Sequence, residues 1–345
     1  MRPFLAPLAA LLAGALGGCD FSPTLDIPLP DFEPALTVNG VLAADSTVEV
    51  EVKAALDPYT RDALERAFRV PDGVSAELFR DGEPVGALRL DSETCQENPF
   101  YVIPGDAPAT FECGSFVSDV VTEPGRTYTL RVSALGFPDA EATVTVPDRV
   151  PASAVGGPTV ESPLPNDGKR FDTQISVRFR DPPGRRQRYG LVVVGGPYTY
   201  RFTERGLCVD PECTEVRDTT YTVYENRRPV GYTTTDPVLL AAARVVPSTG
   251  ISFIAFDDEA FDGQSRALDV RAQQFWYPSY NRDEPNSPVG VWLITADAET
   301  YGAYQLAWFS GGEDNPFAEP ADLPSNVVGG YGLLGAVTIT EALIE

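Results

Sequence analysis

Apolar and polar residues alternate along much of the first half of the chain, which is the pattern of strands buried on one face. The segment TVEVEVK sets Val48, Val50 and Val52 on one side and charged residues on the other, as in a half-buried strand. The segment VSAELFRDGEPVGALRL contains two such runs around Asp81-Gly82, a dipeptide that favours a tight hairpin turn. Because RTYTLRVSAL and EATVTVP repeat the alternation, the pattern predicts an immunoglobulin-like antiparallel β-sandwich over residues 34–147.

The second half of the chain is also predicted to be mainly β. A stretch rich in Pro, Gly and Ser makes residues 148–165 the predicted linker. Strand-like runs then recur, and one segment, DAETYGAYQLAWFSGG, spaces Tyr301, Tyr304 and Trp308 at helical intervals. Residues 166–345 are therefore expected to form a second β-rich sandwich or barrel-like domain with one short C-terminal α-helix.

Residues 1–18 have the pattern of a signal peptide. Arg2 is the only charge before an apolar run from Phe4 to Leu16, which is too short to span a bilayer as a stable helix. The Leu-Gly-Gly-Cys that ends at Cys19 resembles the lipobox of bacterial lipoproteins, which implies a lipid on Cys19 at the new N-terminus. The alternative is an ordinary secretory peptide that leaves Cys19 as a free thiol. Residues 19–33, rich in proline, are expected to form an extended tether.

The remaining four of the five cysteines fall into two local pairs, Cys95 with Cys113 and Cys208 with Cys213. In an oxidising envelope compartment each pair is expected to form a disulfide, because the two cysteines are close in sequence. A zinc site at the second pair is the competing interpretation. It is disfavoured because the chain contains no histidine and no second close pair of cysteines.

Charge and the missing histidine narrow the possible functions. The chain has 26 basic and 50 acidic residues, a net charge of −24, which disfavours nucleic acid as a partner. Without histidine there is no Ser-His-Asp or Cys-His machinery. Neither a Gly-x-Ser-x-Gly elbow nor a Walker-type phosphate loop occurs. The chain is therefore predicted not to be an enzyme, and no cofactor is predicted.

A Tyr- and Thr-rich ribbon between residues 198 and 235 is the candidate recognition surface. Tyrosine and arginine are enriched where proteins recognise partners. Alternating Tyr and Thr is also the ordinary composition of a strand, and that alternative stays open. The candidate binding residues are Tyr198, Tyr200, Tyr221, Tyr224, Arg227, Arg228 and Tyr232.

The acidic segment DDEAFDGQSRALD has some likeness to a calcium-binding loop. It sets Asp258, Asp262 and Asp269 at positions 1, 5 and 12 of the loop template, but Ala260 stands at position 3, where a ligand is required. The run is also flanked by strand-like rather than helical residues. A turn between strands is the favoured interpretation, calcium is a weak candidate, and no metal is predicted.

The closing third of the chain resembles a known family. The residues that carry the resemblance are FDDEAFDGQSRALDV (Phe256 to Val270), the helix around ETYGAYQLAW, and NPFAEPADLPSNVVGGYGLLGAVTIT (Asn315 to Thr340). The first strand PALTVNGVLA and the strand from Gly125 to Val132 also fit. Together they are similar to the Bacteroidota outer-membrane lipoproteins catalogued as domain of unknown function 4249. The resemblance implies an envelope lipoprotein, often encoded beside TonB-dependent receptors, and brings no established activity or catalytic residues.

Three functions follow from these observations. The leading one is a non-enzymatic accessory protein, anchored by lipid in the cell outer membrane, that binds an outer-membrane TonB-dependent transporter. The second is a surface lipoprotein that binds a glycan or a peptide through the Tyr-rich ribbon. The third is a hydrolase that uses carboxylates, for which the 50 acidic residues offer many pairs and no means of choosing one.

Overall fold

Strands dominate the computed structural model, which describes residues 33–55, 69–96, 110–195, 198–208, 216–225, 229–242, 253–276, 288–303 and 325–344. The strands of the first part are β1 (Ala35–Ala43), β2 (Thr47–Ala55), β3 (Ser75–Arg80), β4 (Glu83–Gln96), β5 (Thr110–Val121), β6 (Thr127–Ser133) and β7 (Ala140–Thr145). Those that follow up to the first helix are β8 (Ala152–Pro163), β9 (Lys169–Arg180), β10 (Arg188–Gly195), β11 (Tyr198–Cys208), β12 (Val216–Glu225), β13 (Pro229–Val230) and β14 (Tyr232–Thr234). The last are β15 (Ile254–Asp257), β16 (Ser265–Trp276), β17 (Pro288–Ala296), β18 (Val327–Val328) and β19 (Gly330–Leu343).

One large sheet of thirteen strands runs through the protein in the order β13-β10-β17-β19-β1-β2-β5-β4-β3-β6-β7-β18, with β15 paired to β10 off this path. The first strand, β1, pairs in parallel with the last, β19, and antiparallel with β2. Only Gly329 separates β18 from β19, while β18 pairs with β7 at the far end of the path. The sheet therefore curls back on itself between β19 and β18.

The first hydrophobic core fills the space inside this curl. Val48, Val50 and Val52 are at most 1% exposed, which confirms the face predicted from their alternation. Tyr128 and Leu130 on β6 join them. The same core includes Val327, Leu334 and Ala336 from the end of the chain, so the first core depends on the last strand.

A second core lies between two sheets that face each other. One is the four-stranded sheet β14-β16-β9-β8, and the other is the β10-β17-β19 part of the large sheet. Phe179, Tyr189, Phe256 and Phe261 cluster within it, with ring centroids 5.1–6.5 Å apart, distances at which aromatic pairs attract one another. The predicted fold class is confirmed: the protein is mainly β, with sandwich packing and short helices.

The predicted linker at 148–165 is corrected by the structure. Residues 152–163 form β8, which pairs with β9. Apart from the residues that the last strands add to the first core, the two cores divide near the predicted boundary: the first includes residues up to Val146, and the second begins at Val150. However, β19 contributes to both cores, and Pro34–Glu345 is one compact unit. A division into chain-contiguous domains therefore does not describe these residues.

The described residues of the second half include two short helices. The first, α1, is Pro237–Ala242. The second, α2, covers residues 298–303 and begins where the predicted helix was expected, with the carboxylate of Asp297 accepting the Thr300 N–H at 3.1 Å as a cap. The rest of that predicted helix lies outside the described residues. None of the helices in the described part of the chain is long and apolar enough to cross a membrane.

Two local predictions are confirmed in the first part of the chain. Asp81 and Gly82 join β3 to β4 with φ values of 52° and 88°, the left-handed pair that a tight hairpin turn requires. Cys95 and Cys113 form a disulfide between β4 and β5, with their Cα atoms 5.8 Å apart. For the second predicted disulfide, Cys208 ends β11, and Cys213 lies outside the described residues.

Candidate functional site

A cluster of three aspartates closes one end of the second sandwich. Asp181 follows β9, while Asp258 and Asp262 lie in the turn between β15 and β16. Carboxylate oxygens of the three residues lie within 4.8 Å of one another. Asp181 and Asp258 are buried, and Asp262 is exposed. The cluster is thus set at the rim of the core, with one carboxylate open to solvent.

The protein itself supplies hydrogen bonds to these carboxylates. The hydroxyl of Tyr189, within the core, donates to Asp181 Oδ1 at 2.5 Å, and the Gly263 N–H donates to Asp181 Oδ2 at 2.7 Å. Asp258 Oδ2 accepts the Gln187 N–H at 2.7 Å. In the same way Asp262 Oδ1 accepts the Gly184 N–H at 2.9 Å. These bonds tie the loop that follows β9 to the turn that precedes β16.

Burial and the repulsion between neighbouring carboxylates change the pKa values of groups in and beside the cluster. Burial raises the pKa of Asp258, and the nearby charges of Asp181 and Asp262 raise it further, against the Gln187 N–H bond that lowers it. Burial also raises the pKa of Tyr189, and its hydrogen bond to Asp181 acts in the same direction. The phenol therefore stays a proton donor to the carboxylate.

The structure brings together two of the three aspartates that the calcium-loop template suggested, Asp258 and Asp262. Asp269 lies on the exposed side of β16, apart from Asp258 and Asp262. Asp181 is the third member of the cluster, and the loop template missed it because it comes from another strand. Oxygen ligands suit calcium, but four of the six carboxylate oxygens already accept hydrogen bonds from the chain. The contacts support a structural role in closing this end of the sandwich.

A cavity of about 720 Å³ lies beside this end. Its walls come from α1, from β15 and the turn that follows it, from the start of β16 and from α2. They combine apolar side chains with Asp257, Glu259 and Arg266. Arg186 donates to Asp257 at 2.6 Å and to Glu259 at 3.3 Å. The acidic side of the cavity is thereby partly neutralised by the protein itself.

The predicted recognition ribbon forms a two-stranded antiparallel hairpin of β11 and β12. Tyr198 and Tyr200 lie on β11, and Tyr221 and Tyr224 lie on β12. Arg227 and Arg228 lie outside the described residues. The hairpin continues from β10 and β13, which pair through Val193 and Val230 at the edge of the second core.

Tyr232 is not part of a recognition surface, which corrects one of the candidate binding residues. Its side chain is completely buried in the second core, and its hydroxyl donates to the Leu191 carbonyl at 2.8 Å. The sequence could not separate it from the ribbon tyrosines because all of them stand in the same alternating Tyr/Thr pattern. Only the pairing of β14 with β16 carries Tyr232 into the core.

Asp297 is a buried carboxyl between α2 and β19. Its Oδ1 accepts the N–H groups of Thr300 and Ala336, each at 3.1 Å. Its Oδ2 is buried and has no hydrogen-bond partner among the described residues. Burial is the largest cause that raises the pKa of Asp297 from 3.8 to about 6. The charged form is therefore costly in the folded protein.

We expect Asp297→Asn to stabilise the protein above pH 6. Because the pKa is raised by folding, the contribution of this carboxyl to stability is complete below about pH 4 and is lost as the pH rises through 6. After allowance for partial solvent screening the loss is about 2 kcal/mol. The amide keeps the Oδ1 acceptor and carries no charge. Urea unfolding from pH 4 to 8 should show that the free energy of unfolding of the variant exceeds that of the wild type by a margin that grows with pH. A constant difference across this range would contradict the prediction.

The fold and these features define a mainly β sandwich protein with an acidic, hydrogen-bonded end and a separate two-stranded hairpin. The chain belongs to the family described as Domain of unknown function (DUF4249), whose model matches residues 23–342. This confirms the family resemblance seen in the sequence.

Comparison with curated proteins finds no match. Among solved structures, the chain is similar to one from work titled "Structural basis for the promiscuous specificity of the carbohydrate-binding modules from the beta-sandwich super family". The two share 8% identity over 75% of this chain and 99% of the other, with a TM-score of 0.16. At that score the likeness carries no argument about function.

Proposed function

We propose that this protein is a non-enzymatic, lipid-anchored binding protein of the cell outer membrane. Its partner in this proposal is an outer-membrane transporter of the TonB-dependent class, and it binds that partner through the β11–β12 hairpin. The observation that carries the proposal is the hairpin itself. Its strands follow β10 and precede β13 along the chain, β10 and β13 pair with each other, and no other described strand pairs with the hairpin.

Physical chemistry supports a binding role for such an element. A two-stranded ribbon is marginally stable in water unless it packs on something else. The unpaired strand edges and the Tyr, Thr and Arg residues of the ribbon are features of recognition surfaces. The predicted proline-rich tether of residues 19–33 would give the folded part reach from a lipid on Cys19. Such reach, together with a ribbon that pairs with no other described strand, suits docking against a neighbour in the same membrane.

The anchor is tested by Cys19→Ser. Without the thiol no lipid is attached, and acyl chains contribute about 0.8 kcal/mol for each buried CH₂ group. The variant should leave the membrane fraction and appear in the aqueous phase of a detergent partition. Ser22→Ala, close by in the tether, is the matched control and should stay with the detergent. A membrane-bound Cys19→Ser protein would contradict the lipid anchor.

The partner is tested by shortening the ribbon. Replacing residues 200–223 by Asn-Gly joins Thr199 to Tyr224, which already face each other, through a turn that suits a hairpin. We expect the shortened protein to fold and to lose capture of the TonB-dependent transporter from solubilised outer membrane. The control replaces Asn166-Asp167, the turn between β8 and β9, by Asn-Gly and should retain capture. Equal capture by both variants would overturn the proposed interface.

A further inference from the structure

The β11–β12 ribbon has two outer edges with which no other described strand pairs. The two strands pair in register from Tyr198–Glu225 to Glu204–Thr219, and a bulge then shifts the register before Leu207. Within the described chain neither strand has a second neighbour. Each edge therefore presents a row of backbone N–H and C=O groups, which is the template on which another strand assembles.

The ribbon has only some of the features by which proteins block such pairing. Exposed edges are ordinarily protected by charged side chains, above all Lys, by Pro, by bulges or by very short strands. The sequences YTYRFTERGLC and VRDTTYTVYE contain neither Lys nor Pro, and the strands are 11 and 10 residues long. The bulge interrupts only the distal part. Residues 198–204 and 219–225 are left as regular, open edges rich in residues that favour strands.

The charge of the protein indicates which kind of strand could pair with the ribbon. The two ribbon strands carry three arginines and three acidic residues, a net charge of zero, in a chain whose net charge is −24. A second copy of the chain would bring a further −24, and like charges of that size repel at long range. A neutral segment of another protein meets no such repulsion, and a basic segment is attracted by the overall field.

We infer that the ribbon binds by strand addition, in which an extended, neutral or basic segment of a partner protein pairs backbone to backbone along one free edge. This rests on the proposed function and specifies how the hairpin recognises its partner. Main-chain hydrogen bonds then supply affinity, and alternate side chains of the added strand supply specificity.

Photocross-linking along both strands tests the inference. A photoreactive amino acid is placed singly at residues 199–203 of β11 and 220–224 of β12, and the protein is irradiated on isolated native outer membranes. Neighbouring strands lie about 4.8 Å apart, so an added strand touches one ribbon strand and is shielded from the other. We expect cross-links to one partner at consecutive positions of one strand, several-fold stronger than at the facing positions of the other.

Other patterns overturn strand addition in distinguishable ways. Cross-links at every second residue on both strands would show docking on a face of the ribbon, which leaves the proposed binding function standing. Cross-links between two copies of the chain would replace the partner by a second copy. No cross-link at any ribbon position, together with strong cross-links from a reporter at exposed Asp119 on β5, would overturn the ribbon as the interface altogether.

Discussion

Gly332→Ala is expected to destabilise the protein by about 4 kcal/mol, combining left-handed backbone strain with a clash that the sheet cannot relieve. Gly332 has φ of 107° and lies on β19 directly beside Val38 of the parallel strand β1. A Cβ at this position would stand 2.2 Å from the Val38 carbonyl oxygen and 2.8 Å from Asn39 Oδ1. Relief would require β1 and β19 to separate, and these strands hold the first core together.

Gly136→Ala is the matched control for this substitution. Gly136 also has a positive φ, 83°, but a Cβ there meets nothing within 4 Å. Gly136→Ala should lower the free energy of unfolding only by the backbone strain, about 1 kcal/mol. Urea unfolding of the two variants separates the clash from the strain, and equal losses would contradict the close approach of β1 and β19.

The second large effect is expected for Asp236→Ala, which should lower the free energy of unfolding by about 4 kcal/mol. The substitution leaves Arg266 without its ion-pair partner and removes the cap of α1. Arg266 Nη2 donates to both carboxylate oxygens of Asp236 at 3.1 Å, and the Asp236 side chain is only 6% exposed. Asp236 Oδ1 also accepts the Val238 N–H at 2.9 Å at the start of α1. The Nε of Arg266 is already buried without a partner among the described residues, and the substitution would also remove the bonds that Nη2 donates to Asp236.

A double substitution separates the charge from the cap. Asp236→Asn with Arg266→Met removes both charges, keeps an oxygen at the cap position and fills similar volume. It should cost clearly less than Asp236→Ala, because removing a buried pair together is far cheaper than removing one partner. Thermal unfolding measures both variants. A double variant as unstable as Asp236→Ala would show that the stranded charge is not the cause.

Local features of the fold could be predicted from the sequence because their causes are local. The alternation at Val48, Val50 and Val52 fixes the buried face of β2, and Asp81-Gly82 can form its turn without help from the rest of the chain. Cys95 and Cys113 lie diagonally across the adjacent strands β4 and β5, two residues apart in register, so proximity in sequence was an adequate guide. Asp297 likewise caps the helix that follows it.

The pairings between strands that are distant in sequence could not be predicted from the sequence. Nothing in PALTVNGVLA shows that its neighbour is β19, because parallel partners share no turn. Asp181 joins Asp258 and Asp262 only through the antiparallel pairing of β9 with β16. Tyr232 and Tyr224 look alike in sequence, yet one lies in a strand that reaches the core. In each case the missing information is which strands become neighbours.

The parallel pairing of β1 with β19 also has a consequence for the order of biogenesis. Asn39 Oδ1 accepts the N–H of Leu333, 294 residues further along the chain. A ribosome releases the first strand long before its partner exists, so the first core cannot close while synthesis continues, and contacts of such long range form slowly. An unfinished chain is therefore kept open, which is the state that a secretion channel accepts. For the exported protein proposed above, folding would be completed only on the far side of the membrane.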